Sequence, residues 1–279
     1  MQSAQFELHA RIEDRHWWFV ARRRIMRTLI GQVLPPSKET TIVDVGCGTG
    51  ANIASLADDY RCVGIDTSRQ AIASAQARFP QVDFIHGYAP ADLGHIAADA
   101  RMFLLMDVLE HVPDDFQVLS QLLAAASPGA YFLITVPADL SLWSEHDESF
   151  GHYRRYDDAR LRRAWEGLPV KVLLTSHYNT RLRPLIKLIR AVSRLRGHAA
   201  GASGTDFSVP PSPINRALEN VFAGESCRLV EVLHQRRADG YRRGVSLIAL
   251  LQRQPGDVTL RTKPLDLAAD RHDPMACIA

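Results

Sequence analysis

The segment Thr41-Ile42-Val43-Asp44-Val45-Gly46-Cys47-Gly48-Thr49-Gly50 constrains this chain more than any other, because a short apolar strand runs directly into a turn with glycine at alternate positions. Glycines there remove the Cβ atoms that keep a ligand off the backbone and permit the positive φ angles of a tight strand-to-helix turn. A small ligand is expected at the turn. The spacing Gly46-x-Gly48-x-x-Ala51 satisfies a loose dinucleotide fingerprint. Two features point elsewhere: Asp44 stands two residues before the first glycine, and Gly50 falls one position early for a pyrophosphate turn. A carboxylate at that point repels a pyrophosphate and attracts a cation.

The rest of the chain reads as a continuation of that unit. Apolar periodicity predicts a helix from His16 to Leu34, ended by Pro35-Pro36, with the aromatic cluster Trp17-Trp18-Phe19 at its start. A first crossover helix is expected from Ala51 to Asp59. The second strand follows over Arg61 to Asp66, and its terminal Asp66 lies about 20 residues past the loop, where a βαβ unit sets an acid against a ribose. Further strands are expected at Val82 to His86, Arg101 to Asp107 and Ala130 to Val136, with helices at Arg69 to Arg78 and Phe116 to Ala126. The near-continuous apolar run before Asp107 is that of a central parallel strand buried on both faces. Alternation at this spacing predicts a doubly wound, Rossmann-like α/β sheet.

After the fifth strand, residues Leu142 to Tyr156 crowd His146, Asp147, Glu148, His152, Arg154, Arg155 and four aromatics into one loop. Open α/β sheets bind ligands at such carboxyl ends, so a substrate-facing role is expected for this loop. Asp157 caps a helix over Ala159 to Glu166, and a sixth strand follows over Val170 to Ser176. The candidate seventh strand, Val245 to Leu251, comes only after an insertion containing an amphipathic helix at Arg181 to Arg196 and a second helix at Ile214 to Arg236 with a weak point at Gly224. The first of these helices has two readings. As a lid it would bury Leu182, Leu185, Ile186 and Ile189 against Ile214, Leu218 and Phe222. As a peripheral membrane contact it would lay the same residues among lipids, and salt-sensitive co-sedimentation with anionic vesicles separates the two.

Composition adds exclusions. Lys and Arg outnumber Asp and Glu by 33 to 31, so no global charge argues for a nucleic-acid partner. The four cysteines, Cys47, Cys62, Cys227 and Cys277, have no metal-binding or redox spacing; no metal is expected, and a reducing, cytoplasmic setting fits. No run reaches the about 18 apolar residues of a membrane span.

The pattern acid-x-Gly-x-Gly-x-Gly of Asp44 to Gly50 resembles the first motif of class I S-adenosylmethionine-dependent methyltransferases, and Glu110-His111-Val112 resembles their motif after the fourth strand. His16-Trp17-Trp18-Phe19 with Arg22-Arg23, and His146-Asp147-Glu148 with His152-x-Arg154-Arg155-Tyr156, resemble one subgroup of that family. The resemblance covers Glu13 to Leu251. It implies seven strands with an antiparallel last strand; strands six and seven are usually joined by a short turn in that family, and this chain departs from the pattern with its helical insertion there. It divides the chain into an N-terminal helical arm or lid at 1–36, a methyltransferase domain at 37–254 with the insertion at 180–244, and a disordered tail at 255–279.

The implied cofactor is S-adenosylmethionine, with contacts at Arg22, Asp44, Gly46, Cys47, Gly48, Gly50, Asp66, Thr67, Tyr88 and Asp107. Arg22 is the expected partner of the methionine carboxylate. Many members carry an acid after the third-strand glycine for the adenine amine; here Tyr88 stands there, leaving Asp92 or backbone groups to serve. A small-molecule acceptor is expected, lined by Trp18, His152, Arg154, Arg155 and Tyr156, with methyl transfer to oxygen in secondary-metabolite, glycan or lipid-linked biosynthesis. The sulfonium is already activated, so alignment supplies much of the catalysis. Where a general base is needed, His111 and His146 are the candidates, with Asp147 or Glu110 holding the tautomer. Two other readings stay open: a nicotinamide-dependent oxidoreductase using the Gly46-Gly48-Ala51 spacing, and a non-catalytic peripheral membrane protein.

Overall fold

A computed structural model describes residues 10–195, 209–258 and 260, with the side chains of 146 and 190–195 outside that description. Its centre is a sheet of seven strands: β1 (Ser37–Val45), β2 (Tyr60–Asp66), β3 (Asp83–His86), β4 (Met102–Met106), β5 (Tyr131–Pro137), β6 (Val170–Tyr178) and β7 (Ser246–Arg253). The order is β3-β2-β1-β4-β5-β7-β6. Strands β1 to β5 run parallel, while β7 is antiparallel to both β5 and β6. This is the expected doubly wound sheet with an antiparallel last strand. The strand order reverses between β1 and β4, so the carboxyl ends of those two strands flank the crevice where such sheets take ligands.

The sheet is central because its sequence is apolar on both faces. Every residue of β4 is buried, as are the last five of β1. The helices that cover it are α1 (Trp17–Val33), α2 (Ala51–Ala54), α3 (Arg69–Arg78), α4 (Ile96–Asp99), α5 (Asp115–Ala125), α6 (Glu145–Ser149), α7 (Asp158–Arg163), α8 (Arg183–Leu195), α9 (Ser212–Ala223) and α10 (Ser226–Leu233). One core layer joins Val43, Phe103, Phe132, Leu247, Ala249 and Leu251 of the sheet to Phe116 and Leu119 of α5. The opposite layer joins Ile42, Leu104, Leu133 and Ile248 to α1, whose Ala21, Ile25, Met26, Leu29 and Ile30 are buried. Helix α1 starts where expected because the His16 side chain accepts from the Trp18 amide.

The expected single helix over Ile214 to Arg236 is two, α9 and α10, separated at Gly224 and Glu225. The expected crossover helix over Ala51 to Asp59 is helical only over its first four residues and continues as turns. The loop from Leu142 to Tyr156 contains the short helix α6.

Helix α8 only half matches the lid expectation. Leu182 is buried and Ile186 packs on the core, but Leu185, Leu188 and Ile189 are exposed, as is Ile214. The reason is electrostatic: Arg183 and Lys187 both pair with Asp139, just past the end of β5, which holds the charged side of the helix's first turns against the protein. Burial opposes the charge on Asp139, but Ser141, Arg183 and Lys187 outweigh it and bring its pKa down to about 2. None of the described helices is long and apolar enough to cross a membrane. Residues 1–9, 196–208, 259 and 261–279 lie outside the described residues, and with them Cys277, Arg196 and most of the tail.

Candidate cofactor and acceptor site

The glycine-rich turn leaves β1 with Gly46, Gly48 and Gly50 all at positive φ, as the alternating pattern predicts. Their surroundings differ. A Cβ on Gly46 would meet Val108 at 2.8 Å, and one on Gly50 would meet the Phe84 ring at 2.7 Å, whereas one on Gly48 would meet nothing within 4 Å. Gly46 and Gly50 therefore serve close packing, and Gly48 borders open space. Cys47 is buried, and burial pushes its thiol pKa up.

Asp66, at the end of β2, accepts from the Gly48 amide at 2.9 Å through one carboxylate oxygen and from the Ser68 amide at 2.7 Å through the other. Each oxygen keeps a lone pair for a further donor, which suits two adjacent hydroxyls. Thr67 beside it is exposed. Tyr88 is exposed, and its amide donates to Asp92 at 2.7 Å. Asp92 thus reaches back over Gly87 and brings an acid beside position 88.

Asp44 is buried, and neither of its carboxylate oxygens has a hydrogen-bond partner. Burial raises its pKa to about 8, with Arg22 opposing the rise and Asp66 adding to it. An orphaned carboxylate at the end of β1 is what a cationic amino end would satisfy, so the residues fit a cofactor bearing an ammonium group. The linkage sign follows from the raised value. The folded protein holds this proton and the unfolded chain releases it, so stability falls from about pH 4 to about pH 8, by about 1.4 kcal/mol per unit. Asp44→Asn is expected to raise the unfolding temperature of the cofactor-free protein, by more at pH 8 than at pH 5. It is also expected to weaken S-adenosylhomocysteine binding at least about tenfold. Scanning fluorimetry and calorimetry read both, and a pH-independent difference with unchanged affinity would refute the assignment.

Arg22 departs from expectation. Its guanidinium is buried, pairs with Asp107 and lies 4.9 Å from the centre of the Trp18 ring. The pairing with Asp107 is made by one terminal nitrogen, and the buried Nε has no partner. Trp18 is half-buried beside it. Asp107 follows β4 at φ 59, a left-handed conformation uncommon for a residue with a side chain, and it also accepts from Thr135 Oγ1 at 3.1 Å.

The loop from Leu142 to Tyr156 folds back on the turn after β4. Arg154 is buried and donates to the carbonyls of Leu109, Val112 and Pro113, and the Tyr153 amide donates to Glu110 O at 2.8 Å. Arg155 is buried and donates to Asp147 through Nε at 2.8 Å and a second nitrogen at 3.0 Å, and to Ala138 O at 2.9 Å. The Tyr156 hydroxyl donates to Asp115 at 2.9 Å. Arg154, Arg155 and Tyr156, expected to face substrate, instead spend their polar atoms inside the protein. Asp147 is fully buried. Burial opposes its charge, but the bond from His152 and the Arg155 guanidinium hold its carboxyl well below the usual range.

Of the expected bases, His111 faces His152, with ring centres 4.7 Å apart and planes at 81°. Burial, then the neighbouring His152, lowers the His111 pKa to about 4. Asp147 holds His152 rather than His111: its Oδ1 lies 2.9 Å from His152 Nδ1. The side chain of His146 lies outside the described residues. Glu110 is buried with no partner on either oxygen, and burial, then Asp107, raises its pKa well above the ordinary value.

Sequence reasoning missed Glu13. This buried acid accepts from Thr49 Oγ1 at 2.8 Å and pairs with Arg78, tying the N-terminal segment to the glycine-rich turn. Nothing local in the sequence signals it, because its partners are 36 and 65 positions away.

Residues 18–173 match the family model described as a methyltransferase domain. The chain is 34% identical over 121 residues to a trans-aconitate 2-methyltransferase of Azoarcus sp., covering 42% of this chain and 46% of that protein. It is 34% identical over 139 residues to the trans-aconitate 2-methyltransferase of Variovorax paradoxus, covering 47% and 48%. The chain thus spans about half the length of these curated relatives. Among solved structures, the plantazolicin methyltransferase BpumL, in complex with a monoazolic desmethylPZN analog and SAH, is similar in fold, with a TM-score of 0.54 at 13% identity over 90% of each chain. The family match over more than half of the chain, on a fold whose switch point carries the open Gly48 turn, the ribose-suited Asp66 and the orphaned Asp44, places this protein in the S-adenosylmethionine-dependent methyltransferase family.

Proposed function

We propose that this protein transfers the methyl group of S-adenosylmethionine to an oxygen of a small acceptor that arrives already ionised, as a carboxylate. The observation that carries this reading is the desolvated setting of the two groups beside Asp107. Burial, then His152, lowers the His111 pKa to about 4, which makes it a weak base, and burial, then Asp107, disfavours the ionised form of Glu110. Neither is suited to removing a proton near neutrality, and a carboxylate needs none removed. The names of the curated relatives support the same class, since trans-aconitate is a carboxylate.

When bound, S-adenosylmethionine supplies a methyl group on a positively charged sulfur. Asp44 would hold its amino end, Asp66 its ribose, and Asp92 with the Tyr88 backbone its adenine edge. Gly48 leaves room for the ligand against the backbone. Of the expected acceptor set, Trp18 is half-buried and the His152 side chain is 9% exposed, so Trp18, with the edge of His152, would line the acceptor side.

The test is an acceptor panel with labelled cofactor. It sets trans-aconitate and other small polycarboxylates against phenols and amines, and extends to the secondary-metabolite, glycan and lipid-linked acceptors suggested by the loop motif. Base-labile methyl esters formed from carboxylates are the expected product. Labelled ethers or amines with no ester would overturn the carboxylate reading, and a thermal shift with NADH but none with S-adenosylhomocysteine would overturn methyl transfer itself.

A further inference from the structure

Three side chains on the acceptor side converge. One ligand atom from each of Glu110, His111 and His152 lies within 4.8 Å of those from the other two. Glu110 and His111 are adjacent in the turn after β4, while His152 comes from the loop after β5. The two segments meet because Arg154 binds three carbonyls of the turn and Tyr153 binds a fourth. Rigid support for a convergent polar cluster is the arrangement a bound ion requires.

We propose that Glu110, His111 and His152 bind one divalent transition-metal ion. The unpartnered carboxylate is the first reason: Glu110 is 1% exposed and neither oxygen makes a hydrogen bond, a costly state for the buried group that a cation would relieve. The second is the outer support of both imidazoles. Asp147 lies 2.9 Å from His152 Nδ1, and the His111 ring bonds to the Phe150 backbone. Such partners fix the tautomer and orient the ring, as they do behind metal-bound histidines.

The local charges also allow it. The nearby guanidiniums, Arg22 and Arg155, already pair with Asp107 and Asp147, which leaves Glu110 without an ion pair of its own. Two imidazoles and one carboxylate suit iron(II), cobalt(II), zinc or manganese(II) better than magnesium, which prefers all-oxygen sites. Three protein ligands leave positions open, and an acceptor oxygen could occupy one of them. That last role rests on the methyl-transfer reading above, whereas the ion site does not.

The experiment uses the full chain, stripped with chelator, desalted and titrated with cobalt(II) and zinc by visible absorption and calorimetry. S-adenosylhomocysteine binding is measured in parallel. One ion per chain is expected, and Glu110→Gln and His152→Gln should each weaken it at least about tenfold. Retained S-adenosylhomocysteine binding shows that the variants are folded. Absence of stoichiometric binding to the wild-type protein, or binding that survives both substitutions, overturns the ion site. In that case intact cofactor binding leaves the methyltransferase reading standing, and the converse result, an ion bound without cofactor, leaves the site standing alone.

Discussion

Asp147→Ala is expected to destabilise the protein by about 3–5 kcal/mol, because it strands a buried guanidinium. Arg155 directs two nitrogens at Asp147 and is itself buried, so loss of the carboxylate leaves a charge with no counter-ion and no water. His152 loses its partner in the same step. Urea unfolding measures the loss as a lower midpoint with little change in slope. The double substitution Asp147→Ala with Arg155→Met should recover much of it, since removing both charges removes the unpaired one. A single variant within about 1 kcal/mol of wild type would show that the loop is not held by this pair.

Asp66→Ala should weaken cofactor binding by about 2–3 kcal/mol, on the order of 30- to 150-fold, through loss of two charge-assisted hydrogen bonds to ribose. The structure adds a second contribution: Asp66 also anchors the amides of Gly48 and Ser68, so the turn itself loosens. Asp66→Asn separates the two. An amide keeps the size of the carboxylate but has one acceptor oxygen, so it can keep only one of the two anchors. Calorimetry with S-adenosylhomocysteine should rank wild type above Asn and Asn above Ala. Equal affinities in folded variants would remove Asp66 from the site.

Much of this fold was legible because its signals are local. The apolar run before Asp107 and the alternating glycines from Gly46 to Gly50 each report on their own backbone, and the strands they predict are present. The antiparallel last strand was legible only through the family resemblance, and the order of the seven strands was not read from the sequence. Pairings across the chain were not legible at all. The loop from Leu142 to Tyr156 looks like an exposed binding surface by composition, yet Arg154 serves carbonyls more than 40 positions away and Tyr156 serves Asp115. A dense mixture of charges and aromatics marks a region with much to satisfy; it does not say whether a ligand or the protein satisfies it.

The insertion between β6 and β7 leaves the sheet at Tyr178 and returns at Ser246, and these two residues are register partners. Its ends are therefore held side by side by the ladder, whatever lies between them. For a tether whose ends are fixed in this way, doubling the length costs only about 0.6 kcal/mol of closure entropy. Glu225 adds a clasp, accepting the Thr180 and Arg181 amides at 2.8 Å where the excursion begins. This doorway lets the inserted segment lengthen, shorten or be exchanged while the strands on either side of it keep their register, so a change in the insertion need not become a change of fold.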